Sequence, residues 1–362
     1  MKALILAGGF GTRLRPISCT RPKILFPIIN KTLLQWTLER LAENNITEAI
    51  LAVNYQTEAY IKQHKIPKCG LKIKYSRDPM GKPLGTGGPI KKAAKLLGHN
   101  LPFLVLNGDI FADLSYTEIL KRHKEGNAIA TIALHRVKDP SRYGVAELAE
   151  DNHIKRFIEK PLPKEASTNL INAGVYVLSP KIFNYIPNGK AVSIEREIFP
   201  KLAEEGKLYG YVLEGLWMDI GKPEEYLEIN RILLPSFADK HKSKKFPKVD
   251  VKNPAIFGKK VVIGKNSIIG PFVVLGQNVD VGNNVHIKNS VIFPNVTIGN
   301  SSSINETIIG EGATIGEGVK IGKGCIIGDF AKIKNHVSLT ENVSICPAKE
   351  ISESVLTSKC II

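Results

Sequence analysis

A glycine-rich segment with two basic side chains begins where the first apolar stretch of the chain ends. Residues 3–7 have the length and composition of a buried parallel strand. Three glycines follow it directly: Gly8, Gly9 and Gly11. Because glycine has no Cβ, backbone N–H groups there can approach phosphate oxygens closely, and Arg13 and Lys23 add full positive charge. The pattern predicts a phosphate-binding loop at the edge of a sheet, where open α/β sheets bind ligands.

A glycine cluster after a strand is often only a tight turn. Here it is followed, in fixed order, by Arg13, Pro16, Pro22 and Lys23. That combination of glycine, cation and proline favours the functional interpretation over the turn.

Residues 8–23 resemble the signature of the sugar-1-phosphate nucleotidyltransferases. One departure is Ile24, which follows Lys23 where the family usually has proline. The resemblance implies attack of a sugar-1-phosphate oxygen on the α-phosphorus of a nucleoside triphosphate, with release of pyrophosphate. Such a reaction requires two anions to be held in line and their charge to be neutralised. By this resemblance Arg13 binds the β- and γ-phosphates and Lys23 faces the α-phosphate.

The resemblance also implies a Mg²⁺ site at Asp109 and Asp219. Asp109 comes just after the apolar run at residues 103–106, although an aspartate there is often only a helix N-cap. Asp219 lies between large apolar residues, where a charge is costly unless it has a partner. Mg²⁺ prefers oxygen ligands and usually keeps several waters, so two carboxylates suffice to hold it.

Other site residues are carried over from the family by position. The expected nucleotide-binding residues are Leu6, Ala7, Gly8, Gly9, Gly11, Thr12, Arg13, Gly85 and Thr86. The expected sugar-phosphate-binding residues are Gly144, Glu159, Lys160 and Asn172. The catalytic set is Arg13, Lys23 and Asp109. Glu159-Lys160-Pro161 alone is a common surface turn, and its weight comes from its order between Asp109 and Asp219.

The base and the sugar are indicated less directly. The family's pyrimidine-specific branches read the base with a glutamine, and the matching residue here is Met80, which cannot make that bond. Residues 84–89, 141–145, 193–200 and 217–221 are most similar to guanylyltransferases that use mannose 1-phosphate. GTP and mannose 1-phosphate are therefore the expected substrates, and another triphosphate or glucose 1-phosphate is the alternative.

Composition limits the class of protein. The chain has 362 residues, 43% of them hydrophobic, and a net charge of +16, yet its lysines are scattered rather than interleaved with aromatics. We expect no nucleic-acid partner and no membrane contact. The five cysteines are odd in number and lack C-x-x-C spacing, which argues against a disulfide framework or a structural zinc site. The first apolar stretch is too short for a signal peptide or a membrane span, so a cytoplasmic protein is expected.

The first 235 residues alternate short apolar runs with amphipathic stretches, which predicts an α/β fold. Strands are expected at residues 3–7, 49–53, 72–75, 103–106, 128–134 and 173–178, with helices at 33–44 and 115–123. This order predicts a Rossmann-like, mainly parallel sheet in a nucleotidyltransferase domain. Residues 236–253 are lysine-rich and read as a linker.

From residue 254 to 362 the period changes to six. Fifteen aliphatic residues recur at this spacing between Ile263 and Ile345, and the step is broken only twice. This hexapeptide repeat predicts a left-handed parallel β-helix of about five coils. Its expected role is assembly of a homo-oligomer, because flat stacked faces pack well against copies of themselves.

Two other classes of protein fit parts of the sequence. A regulatory subunit of the same fold would lack catalysis, but Arg13, Lys23, Asp109, Lys160 and Asp219 are all present. An acyltransferase would use a β-helix histidine, such as His286 or His336, as a base. Both histidines are expected to face solvent instead.

Overall fold

A computed structural model describes residues 1–9, 11–64, 69–79, 81, 83–126, 128–162, 164–240 and 246–361. Met80 and residues 241–245 of the predicted linker lie outside these ranges. The chain forms two compact units. The first comprises Met1–Gly9 and Leu34–Asp219, and the second comprises Phe10–Leu33 and Ile220–Ile362.

The helices that the structure describes fall within the first 240 residues. They are α1 Leu33–Glu43, α2 Tyr55–His64, α3 Gly87–Lys92, α4 Ala94–Leu97, α5 Tyr116–Glu125, α6 Phe199–Glu204 and α7 Pro223–Lys240. Short 3₁₀ turns span Thr12–Leu14, Ile17–Cys19, Lys23–Leu25 and Pro180–Asn184, and a π-helical turn spans Ile194–Ile198.

Thirteen strands occur among the described residues of the same part of the chain. They are β1 Lys2–Leu6, β2 Pro27–Ile28, β3 Lys31–Thr32, β4 Glu48–Val53, β5 Lys72–Arg77, β6 Phe103–Asn107, β7 Ile110–Ala112, β8 Ala130–Arg136, β9 Gly144–Leu148, β10 Ile154–Glu159, β11 Leu170–Leu178, β12 Leu208–Val212 and β13 Trp217–Asp219.

A nine-stranded sheet forms the centre of the first unit. Its order is β10-β9-β11-β6-β1-β4-β5, and β8 pairs with β11 and β12. Strands β6, β1, β4 and β5 are parallel, so their carboxyl ends share one edge. Ala3, Leu4 and Ile5 of β1 are fully buried, as expected for a parallel strand covered on both faces. The Rossmann-like prediction is confirmed, and β8 to β11 add an antiparallel half to the sheet.

The second unit contains the predicted β-helix. Its strands are β14 Asp250–Val251, β15 Ala255–Phe257, β16 Val262–Ile263, β17 Ile268–Ile269, β18 Val273–Leu275, β19 Asp280–Val281, β20 His286–Lys288, β21 Val291–Ile292, β22 Thr297–Ile298, β23 Ser303–Asn305, β24 Ile308–Ile309, β25 Thr314–Ile315, β26 Lys320–Ile321, β27 Ile326–Ile327, β28 Lys332–Ile333, β29 Ser338–Leu339, β30 Ser344–Ile345, β31 Glu350–Ile351 and β32 Cys360–Ile361.

Every third strand of the β-helix stacks on the same face, which gives three parallel sheets of six, seven and six strands. The aliphatics six residues apart are therefore stacked on their counterparts one coil later, as with Ile269 on Ile287. These side chains form one continuous core, and most of them are under 5% exposed. The arrangement is consistent with the predicted left-handed form, and the expected five coils were slightly too few.

Two features of the structure bear on the predicted domain limits at residues 235 and 254. The limits themselves remain proposals. Helix α7 continues to residue 240, past the predicted domain end at 235. Strand β14 at Asp250–Val251 already pairs with β17, before the predicted β-helix start at 254.

Other features of the described residues agree with the sequence analysis. His286 and His336 are exposed. All five cysteines are free. Among the described helices, none has the length and apolar character needed to cross a bilayer.

Helix α5 buries a histidine against the sheet. His123 is 4% exposed, and its Nδ1 shares a hydrogen bond of 2.9 Å with the hydroxyl of Thr131 on β8. Burial disfavours the charged imidazolium and lowers the pKa of His123 from 6.5 to about 4.

We expect this histidine to weaken the fold as the pH falls from 6.5 towards 4. In that window the unfolded chain binds a proton that the folded chain does not, so the free energy of unfolding falls by about 1.4 kcal/mol per pH unit for this group. Urea unfolding across the window should therefore give a shallower pH dependence for His123→Gln, which cannot titrate, than for the wild type. Equal slopes for the two proteins would contradict the assignment.

Candidate active site

The nucleotide loop leaves the sheet at the carboxyl end of β1. The N–H of Ala7 donates to the carbonyl of Ala52 at 2.8 Å, and the N–H of Gly108 donates to the carbonyl of Leu6 at 2.9 Å. These bonds hold Leu6 and Ala7 between the ends of β4 and β6. Gly8 and Gly9 follow, and the carbonyl of Gly8 accepts a hydrogen bond of 3.2 Å from the amide of Asn54.

A carboxylate that sequence reasoning missed lies beside this loop. A Cβ on Gly8 would stand 3.0 Å from Oδ2 of Asp78, so any side chain at this position would crowd that carboxylate. Oδ1 of Asp78 is buried and has no hydrogen-bond partner among the described residues, and burial raises the pKa of the group against the opposing effect of Lys92. The predicted strand ended at residue 75, whereas β5 continues to Arg77. Only the true strand end reveals that Asp78 occupies a position like that of Asp109.

Gly85 and Thr86 are fixed by the segment that precedes the π-helical turn. Gly85 has a φ of +69°, and a Cβ there would stand 2.3 Å from the carbonyl oxygen of Val192. The N–H of Gly87 donates to the same oxygen at 2.8 Å. The hydroxyl of Thr86 accepts from the N–H of Ile194 at 3.0 Å and donates to the carboxylate of Glu195.

The two predicted metal ligands lie at the same end of a two-stranded ribbon. Strand β13 pairs antiparallel with β7, and the register places Asp219 opposite Ile110, the residue after Asp109. Trp217 holds this ribbon on β11, because its indole N–H donates to the carbonyl of Ala173 at 2.9 Å. Both carboxylates are half-buried. Two carboxylates at one end of a two-stranded ribbon supply the oxygen ligands that a hydrated Mg²⁺ ion prefers.

The predicted sugar-phosphate residues lie on three adjacent strands. Gly144 of β9 is opposite Glu159 of β10, and a Cβ on Gly144 would stand 2.7 Å from Oε2 of Glu159. The N–H of Lys160 donates to the carbonyl of Tyr143 at 3.0 Å, with Lys160 in a left-handed conformation at φ +52°. Asn172 follows Ile171, which pairs with Val145 next to Gly144. The structure therefore brings these four residues together.

A second carboxylate, Glu195, links the sugar and nucleotide residues. Its Oε2 accepts from the hydroxyl of Ser193 at 2.9 Å as well as from Thr86, and its Oε1 accepts from the hydroxyl of Tyr176 at 3.4 Å. That hydroxyl in turn accepts from the amide of Asn172 at 3.0 Å. Burial, and then the charge of Glu195, raise the pKa of Glu159. The sequence offered one signal for Glu195, its place in the motif at 193–200, but none for Tyr176.

The remaining predicted residues belong to the second unit. Gly11 is left-handed at φ +58°, and a Cβ there would meet Cβ of Lys23 at 3.4 Å. Thr12 and Arg13 form a short 3₁₀ turn, and both are exposed. A Cβ on Gly221 would stand 3.1–3.2 Å from the guanidinium of Arg13, so that side chain lies against a glycine. Lys23 is buried, at 9% exposure.

Each unit thus contains a part of the predicted site. The first unit brings the end of β1, the aspartate pair and the sugar residues to identifiable strand ends. The second unit contains Gly11, Thr12, Arg13 and Lys23. We expect the glycines and the basic side chains to bind phosphates, and the aspartates to bind a divalent cation.

The chain belongs to the nucleotidyl transferase family. The family described as Nucleotidyl transferase matches residues 2–236, and the GMPPB C-terminal domain matches residues 251–361. These two matches correspond to the α/β part of the chain and to the β-helix.

Named relatives agree with this assignment. The chain is 42% identical over 244 residues to the mannose-1-phosphate guanylyltransferase catalytic subunit beta of Dictyostelium discoideum, a match that covers 66% of each chain. It is 38% identical over 267 residues to the mannose-1-phosphate guanyltransferase of Aspergillus oryzae, covering 73% of this chain and 71% of that one. The matches thus span about two thirds of these relatives.

Solved structures share the fold of the α/β part. HddC from Yersinia pseudotuberculosis, complexed with GMP-PN, is 31% identical with a TM-score of 0.54, over 64% of this chain and 99% of that one. A putative glucose-1-phosphate thymidylyltransferase from Bacillus anthracis has a TM-score of 0.57 over 68% of this chain and 98% of that one. At 23% identity, the latter shows the fold alone.

Two glycines with the same φ angle separate the effect of backbone strain from that of close packing at Gly85. Gly189 also has a φ of +69°, but a Cβ there would meet nothing within 4 Å. Gly189→Ala should therefore lower the free energy of unfolding by about 1 kcal/mol, from left-handed strain alone. Gly85→Ala should cost about 1–3 kcal/mol more, because its Cβ collides with Val192. Urea unfolding measures both, and equal costs would show that the contact with Val192 is easily relieved.

Proposed function

We propose that the protein transfers a guanylyl group from GTP to mannose 1-phosphate, giving GDP-mannose and pyrophosphate. The observation that carries the proposal is the register of β7 and β13, which sets Asp109 and Asp219 at one end of a ribbon in a chain with the family's cationic signature. Relatives named mannose-1-phosphate guanylyltransferase, at about 40% identity, support the substrate pair.

Different side chains bind the phosphates of the nucleotide and neutralise their charge. Asp109 and Asp219 would hold Mg²⁺, which when bound offsets negative charge on the phosphates. Arg13 binds the β- and γ-phosphates that leave as pyrophosphate. Lys23 faces the α-phosphate, where charge develops during attack, so its loss should lower turnover more than binding.

The sugar phosphate is held by the cluster on β9, β10 and β11. Lys160 is exposed and binds the phosphate, whereas Glu159 and Asn172 bind hydroxyl groups of the sugar. Gly144 leaves room for the ring, because any side chain there would occupy the space beside Glu159. The hydrogen bonds from Asn172 through Tyr176 to Glu195 keep the Asn172 amide in a fixed orientation.

The base has a polar partner available at the end of β5. Guanine carries an N1–H and a 2-amino group, two adjacent donors on one edge that adenine does not have. Asp78, beside Gly8, provides a buried acceptor, and HddC, a relative by structure, is known in complex with GMP-PN. Both support a guanine nucleotide.

We further propose a cytoplasmic homo-oligomer that assembles through the β-helix, whose exposed Val262, Phe330 and Leu356 offer apolar surface.

The substrate assignment is tested by pyrophosphate release. GTP, ATP, UTP and dTTP should each be combined with mannose 1-phosphate and glucose 1-phosphate, with and without Mg²⁺. We expect release with GTP and mannose 1-phosphate that depends on Mg²⁺. Release with another pair would retain the reaction and change the substrates, and no release with any pair would favour a regulatory subunit.

The metal assignment is tested at the ribbon itself. Asp109→Asn and Asp219→Asn should each lower turnover by roughly 10²-fold, because a neutral amide binds Mg²⁺ poorly, while the thermal midpoint stays near that of the wild type. Asp113→Asn is the matched control. Asp113 follows the other end of β7, is exposed, and pairs with Arg40 at 3.3 Å. Full turnover in the Asp109 variant at saturating Mg²⁺, or an equal loss in the Asp113 variant, would remove the pair from the site.

A further inference from the structure

The segment that carries Arg13 and Lys23 has little regular structure of its own. Residues 11–32 form three short 3₁₀ turns and the two-residue hairpin of β2 and β3. Such turns have poor hydrogen-bond geometry and do not hold a long segment in one conformation. This signature segment belongs to the same compact unit as the β-helix, and its contacts there determine how it is held.

Arg21, between the two expected phosphate-binding cations, is buried against the β-helix. Its side chain is 7% exposed, forms an ion pair with Glu311, and lies 3.5 Å from Oδ2 of Asp329. The preceding residue makes a bond to the same oxygen, because the hydroxyl of Thr20 donates to Oδ2 of Asp329 at 2.7 Å. A buried cation is tolerated only with such partners, so these contacts fix the segment two residues before Lys23.

Aromatic contacts extend this attachment. Phe26 of the signature segment packs edge-to-face on Phe293 of the β-helix, at 6.2 Å between ring centroids, and on Tyr226 of α7, at 5.7 Å. The guanidinium of Arg21 lies 5.0 Å from the centroid of Phe293. Further along, the amide of Asn30 donates to the carbonyl of Leu275 at 3.1 Å. Contacts from residues 20–30 thus attach the segment along one sheet of the β-helix.

The β-helix residues that receive these contacts occupy one edge of three stacked strands. Phe293 follows β21, Glu311 follows β24 and Asp329 follows β27, and these strands pair in that order. We call Phe293, Glu311 and Asp329 the anchor face. Most repeats have glycine directly after the core aliphatic, where Phe293 stands, yet this ring is fully buried. A large side chain at a glycine position indicates a contact outside the β-helix itself.

Asp329 also departs from the repeat, because it carries a charge where an equivalent residue, Asn335, is neutral. Its Oδ1 accepts from the N–H of Glu311 at 2.7 Å, a role that Asn335 performs for the N–H of Glu317 at 2.9 Å. Asparagine is sufficient for that backbone bond. The second oxygen of Asp329 provides what asparagine lacks, a negatively charged acceptor, and that oxygen is the one that contacts Thr20 and Arg21.

We propose that the anchor face is a positioning element of the active site, through which the β-helix holds the signature segment so that Arg13 and Lys23 meet the phosphates. Asp329, Glu311 and Arg21 are positioning residues that act through the segment and do not contact substrate. The catalytic part of this inference rests on the proposed function. The β-helix then contributes to turnover within each chain, in addition to any role in assembly.

The most selective test is Asp329→Asn. This change keeps the oxygen that caps Glu311 and removes the charge that faces Arg21, so the β-helix should remain folded. We expect kcat for pyrophosphate release to fall about tenfold or more, with a smaller change in KM for mannose 1-phosphate. Amide hydrogen exchange of residues 13–25 should become faster, because the segment opens more often. Asn335→Ala, which removes only a backbone cap at an exposed position, should change neither quantity.

Variants of Arg21 provide a second measurement. Arg21→Met should reproduce the loss of kcat, and Arg21→Lys, which keeps the charge, should restore part of it. Unchanged kcat in folded Asp329→Asn and Arg21→Met proteins would overturn catalytic positioning. Hydrogen exchange tests the anchor even if the wild type turns over no substrate pair. Faster exchange in Asp329→Asn but not in Asn335→Ala supports the anchor, and unchanged exchange overturns it.

Discussion

The attachment of the signature segment centres on the ring of Phe293, where that segment, helix α7 and the β-helix meet. Phe26 of the signature segment, Tyr226 of α7 and the guanidinium of Arg21 all contact this one side chain. The rings of Phe26, Tyr226 and Phe293 are almost fully buried, and their edge-to-face geometry adds to the energy of burial. A segment of short turns acquires a fixed conformation only through such contacts. The signature motif therefore depends on a residue that lies far from it in the sequence.

The first unit has a different task, which is to bring the polar groups of the site to one edge of its sheet. Its parallel strands β6, β1, β4 and β5 end at a common edge, so Gly8, Asp78 and Asp109, which follow β1, β5 and β6, lie at the same edge of one sheet. Asp219 is placed at the same end of the ribbon as Asp109 by a different constraint. Strand β13 pairs antiparallel with β7, and this register puts Asp219 opposite Ile110. Two independent constraints thus converge on the aspartate pair. This convergence explains why an α/β sheet alone does not define the site, and why the short strand β13 matters.

Features with local or periodic signals were predictable from the sequence, and those with long-range partners were not. The apolar run before Gly8 predicted β1, and the six-residue spacing from Ile263 predicted the β-helix, because each pattern is repeated or bounded by glycine. Asp78 was missed because strand ends are poorly defined by composition, and β5 ran two residues past its predicted end. Tyr176 gave no usable pattern and Glu195 only its place in the motif at 193–200, since their roles arise from hydrogen bonds across separate strands and a π-helical turn. Nothing in the sequence singles out Arg21, because its partners, Glu311 and Asp329, lie about 290 and 308 residues further along the chain.

The two sequence periods identify an α/β part and a β-helix, but they do not assign a separate function to each part. In a repeat array each position is constrained by its neighbours in the coils above and below, so a departure from the repeat has to be compatible with that stacking. Phe293 at a glycine position contacts the signature segment and helix α7, and the charge on Asp329 faces the signature segment, so neither departure serves the repeat alone. Removal of the β-helix would expose Phe26 and Tyr226 to water and leave Arg21 without its carboxylates. A truncated chain would therefore lose the shape of the phosphate-binding segment together with any assembly surface, and only point changes on the anchor face can distinguish the two roles.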